Sequence, residues 1–435
     1  MTLIDRLRRL PLPTGTIPVA IGLGLAGLMQ YGFLVVAARA LGQANFAPLS
    51  VFWALLFVCG PGFFVPIEQE TGRAIAARRV RGEGGRPIIE RAALLGSGLA
   101  VVLVVVTLAL AGPIDRRVFD GDPALLAALI AGFVAYLVQF LARGTLAGNG
   151  RFGSYGMLIG GEGVLRVVFA TILALIGIKV AGPYGVAMII ASVVAIAMAT
   201  VGRHGLFDPG PPAPWSEVST ALSFLLIASV FTQLLASVGA VAVQLLATPA
   251  QETAAGRFQL SRIVAYVPLF LFQAVQSALL PRLSSLATAG RNLEFRSLLF
   301  RLLALVGALG AVAVVGFTLL GPAVTRLLFG HGFELSSLDF ALLSASCIGF
   351  IVTQVFGYAL IALSSYRRVA LGWFVGGIVF MGVAALGSGL FLRVELGLLC
   401  GAIASSAVMA ALLLSLLRER ASSDTEPRIA EARPA

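Results

Sequence analysis

Glu162 and Arg166 stand four residues apart in a stretch, 156–178, that holds no other charge. On a helix this spacing puts both side chains on one face, in the favourable acid-before-base order. A guanidinium stays ionised and presents a planar fork of N–H donors that suits carboxylate or phosphate oxygens. Two readings follow. Arg166 is a cationic point in a water-filled cavity, with Glu162 tuning it or carrying a coupling proton, or the two form a self-satisfied pair that only stabilises packing.

Further arginines lie at the edges of apolar runs: Arg39 after the first, Arg262 at the start of the eighth, Arg73 after the second and Arg282 after the eighth. Arg73 and Arg282 hold corresponding places, which marks them above ordinary snorkelling anchors. Glu68, Glu70 and Arg143 cluster at similar edges, and Gln30, Gln139, Gln233 and Gln273 are amides within apolar runs. These amides need partners, as substrate ligands or as interhelical glue. The chain has 2 histidines and 3 cysteines. His204 and His331 fall in loops, so a histidine metal site is not expected. Cys59, Cys347 and Cys400 read as small apolar residues, and no cofactor is called for.

The elements that carry these residues follow from composition. The 435 residues are 59% hydrophobic and 12% charged, against about 25% charged in a soluble domain. The bilayer is the expected solvent, which excludes secreted, disulfide-stapled and nucleic-acid-binding domains. The net charge of +11 is dispersed between apolar runs and forms no basic face for nucleic acid. Twelve apolar runs, near 17–38, 47–67, 92–112, 123–142, 156–178, 182–201, 220–246, 259–281, 299–321, 338–362, 369–391 and 396–417, are long enough to cross the bilayer. With both ends placed in the cytoplasm, 22 Lys and Arg fall inside and 8 outside, as the positive-inside rule requires. Arg166 alone is in neither set.

The expected fold is an all-α polytopic membrane protein of about twelve transmembrane helices in two six-helix lobes. The lobes span 1–201 and 220–417, with a cytoplasmic proline-rich linker at 202–219 and a disordered tail at 418–435. Gly112-Pro113 ends the third run and Gly321-Pro322 the ninth, 209 residues on. A shift of that size superimposes the halves, which predicts a pseudo-twofold axis along the membrane normal. Gly60-Pro61-Gly62, Pro66, Pro268 and Pro281 place kinks in the second and eighth spans. Gly22-Leu23-Gly24-Leu25-Ala26-Gly27 has dinucleotide-fingerprint spacing but follows no strand, so close helix packing is the better reading. Connections on the outer side are too short to build a glycosyltransferase active site around Asp115, Asp120 and Asp122, and no enzyme activity is expected.

Three stretches carry a family resemblance: Arg39-Ala40-Leu41-Gly42-Gln43-Ala44-Asn45-Phe46, Arg143-Gly144-Thr145-Leu146-Ala147-Gly148-Asn149-Gly150-Arg151-Phe152 with Tyr155, and Leu279-Leu280-Pro281-Arg282-Leu283. With them the chain resembles the multidrug, oligosaccharidyl-lipid and polysaccharide exporter superfamily, in its polysaccharide or O-antigen-type flippase branch. The resemblance implies a multi-pass protein of the bacterial plasma membrane. It would move a polyprenyl-diphosphate-linked oligosaccharide between leaflets by alternating access, with membrane lipids, a glycan polymerase and glycosyltransferases as partners. Arg166 would then meet the diphosphate mid-membrane, with Arg39 and Arg262 near an outer gate and Arg73 and Arg282 near an inner one. The lipid II flippase branch usually has two further helices, which this chain lacks. A drug or metabolite cation antiporter of the same fold, and a non-transporting scaffold, are the other readings.

Overall fold

The computed structural model describes residues 16–215, 217, 222–251, 253–269, 271–272, 279, 282–283, 286–287, 289–363 and 365–423. Gln273 and Pro281 lie outside the described residues. Two compact units divide the chain between Leu226 and Ile227.

Helix is the element that satisfies every backbone N–H and C=O inside hydrocarbon without a partner strand, and the described residues are nearly all helical. The N-terminal unit holds α1 (Thr16–Val80), α2 (Arg86–Ala109), α3 (Ala111–Val118), α4 (Pro123–Gly148), α5 (Phe152–Leu175) and α6 (Ala181–Thr200). Next comes α7 (Leu222–Ser237), which crosses the boundary between units. The C-terminal unit continues with α8 (Gly239–Leu246), α9 (Ala254–Ala265), α10 (Asn292–Phe329), α11 (Ser337–Ala362), α12 (Tyr366–Leu386) and α13 (Leu390–Ser423). Among the described residues, 9 helices are long and apolar enough to cross a membrane, or 10 when the bent pair α7–α8 counts as one span.

Several boundaries differ from the sequence expectation, each for a local reason. Spans one and two form one 65-residue helix broken at Gly42 (φ 69°, ψ −178°), a backbone conformation that only glycine adopts without strain. A single residue therefore replaces the expected connection. The inner loop expected at 68–91 is helical to Val80, and only a turn over 81–85 remains. Glycine–proline does not end the third and ninth runs. Gly112-Pro113 lies in the first turn of α3, where proline is tolerated, and Gly321-Pro322 lies inside α10, which continues to Phe329. Span seven is bent by 60° between Ser237 and Gly239. Beyond Leu417, α13 runs on to Ser423.

Close helix contacts are made at glycines. A Cβ on Gly22 would come within 2.4 Å of the Gly156 carbonyl oxygen, and one on Gly156 within 2.2 Å of that of Pro18. Gly24 has nothing within 4 Å. Glycines thus let α1 and α5 pack backbone to backbone. In the other unit, Gly376 of α12 and Gly401 of α13 approach each other in the same way.

The proline-rich connector is bound to the N-terminal unit. Arg78, at the end of α1 and 1% exposed, pairs with Glu217 at 2.9 Å and donates to the Pro211 carbonyl at 2.7 Å. The Arg86 N–H donates to the Asp208 carbonyl at 3.1 Å, and Arg151 donates to that of His204 at 2.7 Å.

Candidate functional site: a buried charge network

Near the middle of α5, Arg166 donates to Glu162, so the pair inferred from spacing forms. Three neighbouring helices extend it. From α4, the Gln139 amide donates to Glu162 Oε2, and from α6 the Ser192 hydroxyl donates to Glu162 Oε1. Arg166 Nη2 also donates to the Tyr136 hydroxyl at 3.2 Å. Its guanidinium lies 5.7 Å from the ring centroid of Trp53 on α1, which stacks between Phe33 and Phe57.

Glu162 therefore accepts three donors, as a buried carboxylate needs if it is not to pay a large desolvation cost. The Nε N–H of Arg166 is enclosed without a hydrogen-bond partner. Both side chains are enclosed, Arg166 at 7% and Glu162 at 8% exposure. The network couples four helices through one acid and one base of zero net charge. Chemically it can exchange partners: a phosphate oxygen could replace the Glu162 carboxylate at Arg166.

A second constellation occupies the end of this unit where α4 finishes. Arg143 pairs with Glu68 at 3.1 Å, and the Tyr155 hydroxyl donates to the other Glu68 oxygen at 2.8 Å. Arg143 lies 4.6 Å over the Phe140 ring and 5.6 Å over that of Tyr155. Nearby, the exposed Arg73 pairs with Glu70 at 2.7 Å and donates to the Glu217 carbonyl. Tyr136, Gln139 and Arg143 share one face of α4, so that helix links the two constellations.

In the C-terminal unit, Arg262 of α9 is buried, donates to the Ala236 carbonyl and lies 4.8 Å over the Tyr266 ring. Tyr266 in turn hydrogen-bonds Ser346 at 3.0 Å. Arg39 is exposed beside the Gly42 break, Gln30 and Gln233 are half-buried, and Arg282 is exposed. The structure thus joins Glu162, Arg166 and Gln139, and within the N-terminal unit Arg73 pairs instead with Glu70. Gln273 is not described.

Sequence reasoning missed Tyr136, Ser192 and Trp53. The first had a usable signal, since Tyr136, Gln139 and Arg143 recur at three- and four-residue steps. Glu395, which the sequence did not single out, is a fully buried carboxyl in α13 that interacts with Asp339 of α11. Cys347 is buried, whereas Cys59 and Cys400 are half-buried. Among the described residues, no three His, Cys, Asp or Glu side chains converge as a metal site.

No family model matches the chain. An uncharacterized protein of Mycobacterium tuberculosis (strain ATCC 25618 / H37Rv) is 28% identical over 397 residues, covering 87% of this chain and 86% of the relative. A second uncharacterized protein of that strain is 27% identical over 386 residues, covering 83% of each chain. Among solved structures, the chain is similar to an inward-facing multidrug resistance MATE family transporter of the MOP superfamily. The TM-score is 0.73 at 12% identity, covering 94% of this chain and 99% of that one. An outward-facing transporter of the same description gives 0.67 at 14% identity, covering 93% and 96%. A MOP superfamily transporter from Pyrococcus furiosus, reported with reversed polarity of its binding pocket, gives 0.65 at 15% identity, covering 92% and 95%. The chain therefore has the MATE transporter fold, a multi-pass helical membrane architecture of twelve helices in two lobes.

Proposed function

We propose that the chain is a transporter that moves a polyprenyl-diphosphate-linked oligosaccharide across the bilayer by alternating access. The observation that carries this reading is the buried Arg166, held on an aromatic shelf in mid-span with its enclosed Nε N–H uncommitted. Charged groups inside membrane proteins are expensive and mark substrate pathways. An arginine fork is the side chain best matched to diphosphate oxygens. On this reading Glu162 occupies Arg166 in the absence of substrate and yields it to phosphate when the pathway opens. Arg262, on its own aromatic shelf in the C-terminal unit, supplies a second cation, and Arg39, Arg73 and Arg282 attract the headgroup at the span ends.

A second reading has its own support. Two structural neighbours are described as multidrug resistance transporters, and Glu162 is a carboxylate that could take a cationic drug or a proton. The reported reversal of pocket polarity in the Pyrococcus furiosus transporter supports treating pocket charge as variable within this fold.

Reconstitution in liposomes separates the readings. The flippase reading expects translocation of a fluorescent polyprenyl-diphosphate sugar, abolished by Arg166→Ala and partly kept by Arg166→Lys. Full translocation by a folded Arg166→Ala protein would remove Arg166 from the pathway. Proton-driven movement of small organic cations, with no movement of the diphosphate lipid, would establish the antiporter instead.

A further inference from the structure

The connector docked on the N-terminal unit borders an open cavity of about 450 Å³ against the first turns of α2. Its walls include Glu90, Arg91 and Leu94 from α2 and Pro212 and Trp215 from the connector. The Arg91 guanidinium lies 4.6 Å over the Trp215 ring, with its Nη1 enclosed and without a hydrogen-bond partner. Glu90 is paired with Arg86 at 2.7 Å. Glu90 is thus engaged by Arg86, which stands outside the lining, and among the described residues no carboxylate pairs with Arg91.

Below the cavity the same face of α2 continues as an apolar track. Leu94, Val101, Val105 and Leu108, at steps of seven, four and three residues, are each more than half exposed. They cover about 21 Å of helix, more than one leaflet's half of a hydrocarbon core of about 30 Å. Indole rings favour the boundary between headgroups and hydrocarbon, which sets Trp215 at the level where a phosphate would lie.

We propose that this cavity is a binding site for an anionic glycerophospholipid, its phosphate held by Arg91 against Trp215 and an acyl chain laid along Leu94, Val101, Val105 and Leu108. The site is separate from the Arg166 network and is independent of the transported substrate. The bound lipid fastens the connector to α2 from the membrane side, as Arg78 fastens it from the protein side.

Tryptophan fluorescence tests the site, because Trp53 and Trp373 are 3% and 2% exposed whereas Trp215 is 48% exposed. The full chain is titrated in detergent micelles with dibrominated phosphatidylglycerol or with phosphatidylcholine carrying the same chains. The expected result is saturable quenching by phosphatidylglycerol, weakened about tenfold by Arg91→Gln, the loss of one charge-assisted hydrogen bond. Arg91→Lys restores most of it, and Trp215→Phe removes the quenched signal. Leu94→Asn, which leaves the guanidinium untouched, also weakens quenching and keeps the test decisive if Arg91→Gln fails to fold. Equal quenching by both lipids, or undiminished quenching in folded Arg91→Gln, overturns the proposal. Displacement by chain-free glycerol phosphate as effective as by the lipid overturns the acyl-chain component.

Discussion

A guanidinium keeps its charge at every pH a cell meets, so Arg166 inside a helix bundle needs a fixed counter-charge, and Glu162 supplies it one helical turn away. Removing one member of a buried pair is much worse than removing both, because it leaves an uncompensated charge. Glu162→Ala should therefore destabilise the protein by about 3–5 kcal/mol, read as a lower thermal midpoint in detergent. The double replacement Glu162→Leu with Arg166→Met should recover most of that loss. Additive losses in this cycle would show that the two side chains do not depend on each other. The pair itself was legible in sequence because both residues lie on one helix, where spacing alone sets the face. Tyr136 and Ser192 were not, because their contact with it depends on which faces of α4 and α6 meet α5.

At the scale of elements, the glycines of α1 separate local sequence from packing. Gly22 and Gly24 are two residues apart and equivalent in any propensity scale, yet only Gly22 abuts another backbone. Gly22→Ala must push α5 away, whereas Gly24→Ala meets open space and gains helix propensity. We expect Gly22→Ala to lower the thermal midpoint and the yield of monodisperse protein, and Gly24→Ala to match or exceed the parent. Equal tolerance of both would mean that α1 and α5 are not in backbone contact. The fingerprint-like spacing serves helix packing at Gly22, and which glycine packs is a property of the neighbouring helix. The bonds from Arg78 to the connector follow the same logic: proline content predicts a stiff segment, and only the fold shows that it is strapped down.

For the whole molecule, the distribution of 22 basic residues on one side and 8 on the other predicts cytoplasmic termini. With Cys59, Cys347 and Cys400 replaced by alanine, Arg81→Cys in the turn after α1 should react with a membrane-impermeant maleimide only from the cytoplasmic side. Labelling of intact cells from outside would reverse the orientation. By itself the sequence determined the solvent, the helical class, the approximate number of spans and the mid-span charged pair, because hydropathy and helical periodicity are short-range properties of the chain. It misplaced boundaries where a single backbone torsion decided them, as at Gly42, and where proline was tolerated within helix, as at Pro322. Only the tertiary structure decided that four helices share the Glu162–Arg166 network and that the connector borders an open cavity on α2. Those contacts join residues tens of positions apart, and the chemistry of a buried charge or cavity is set by what the neighbouring helices bring to it.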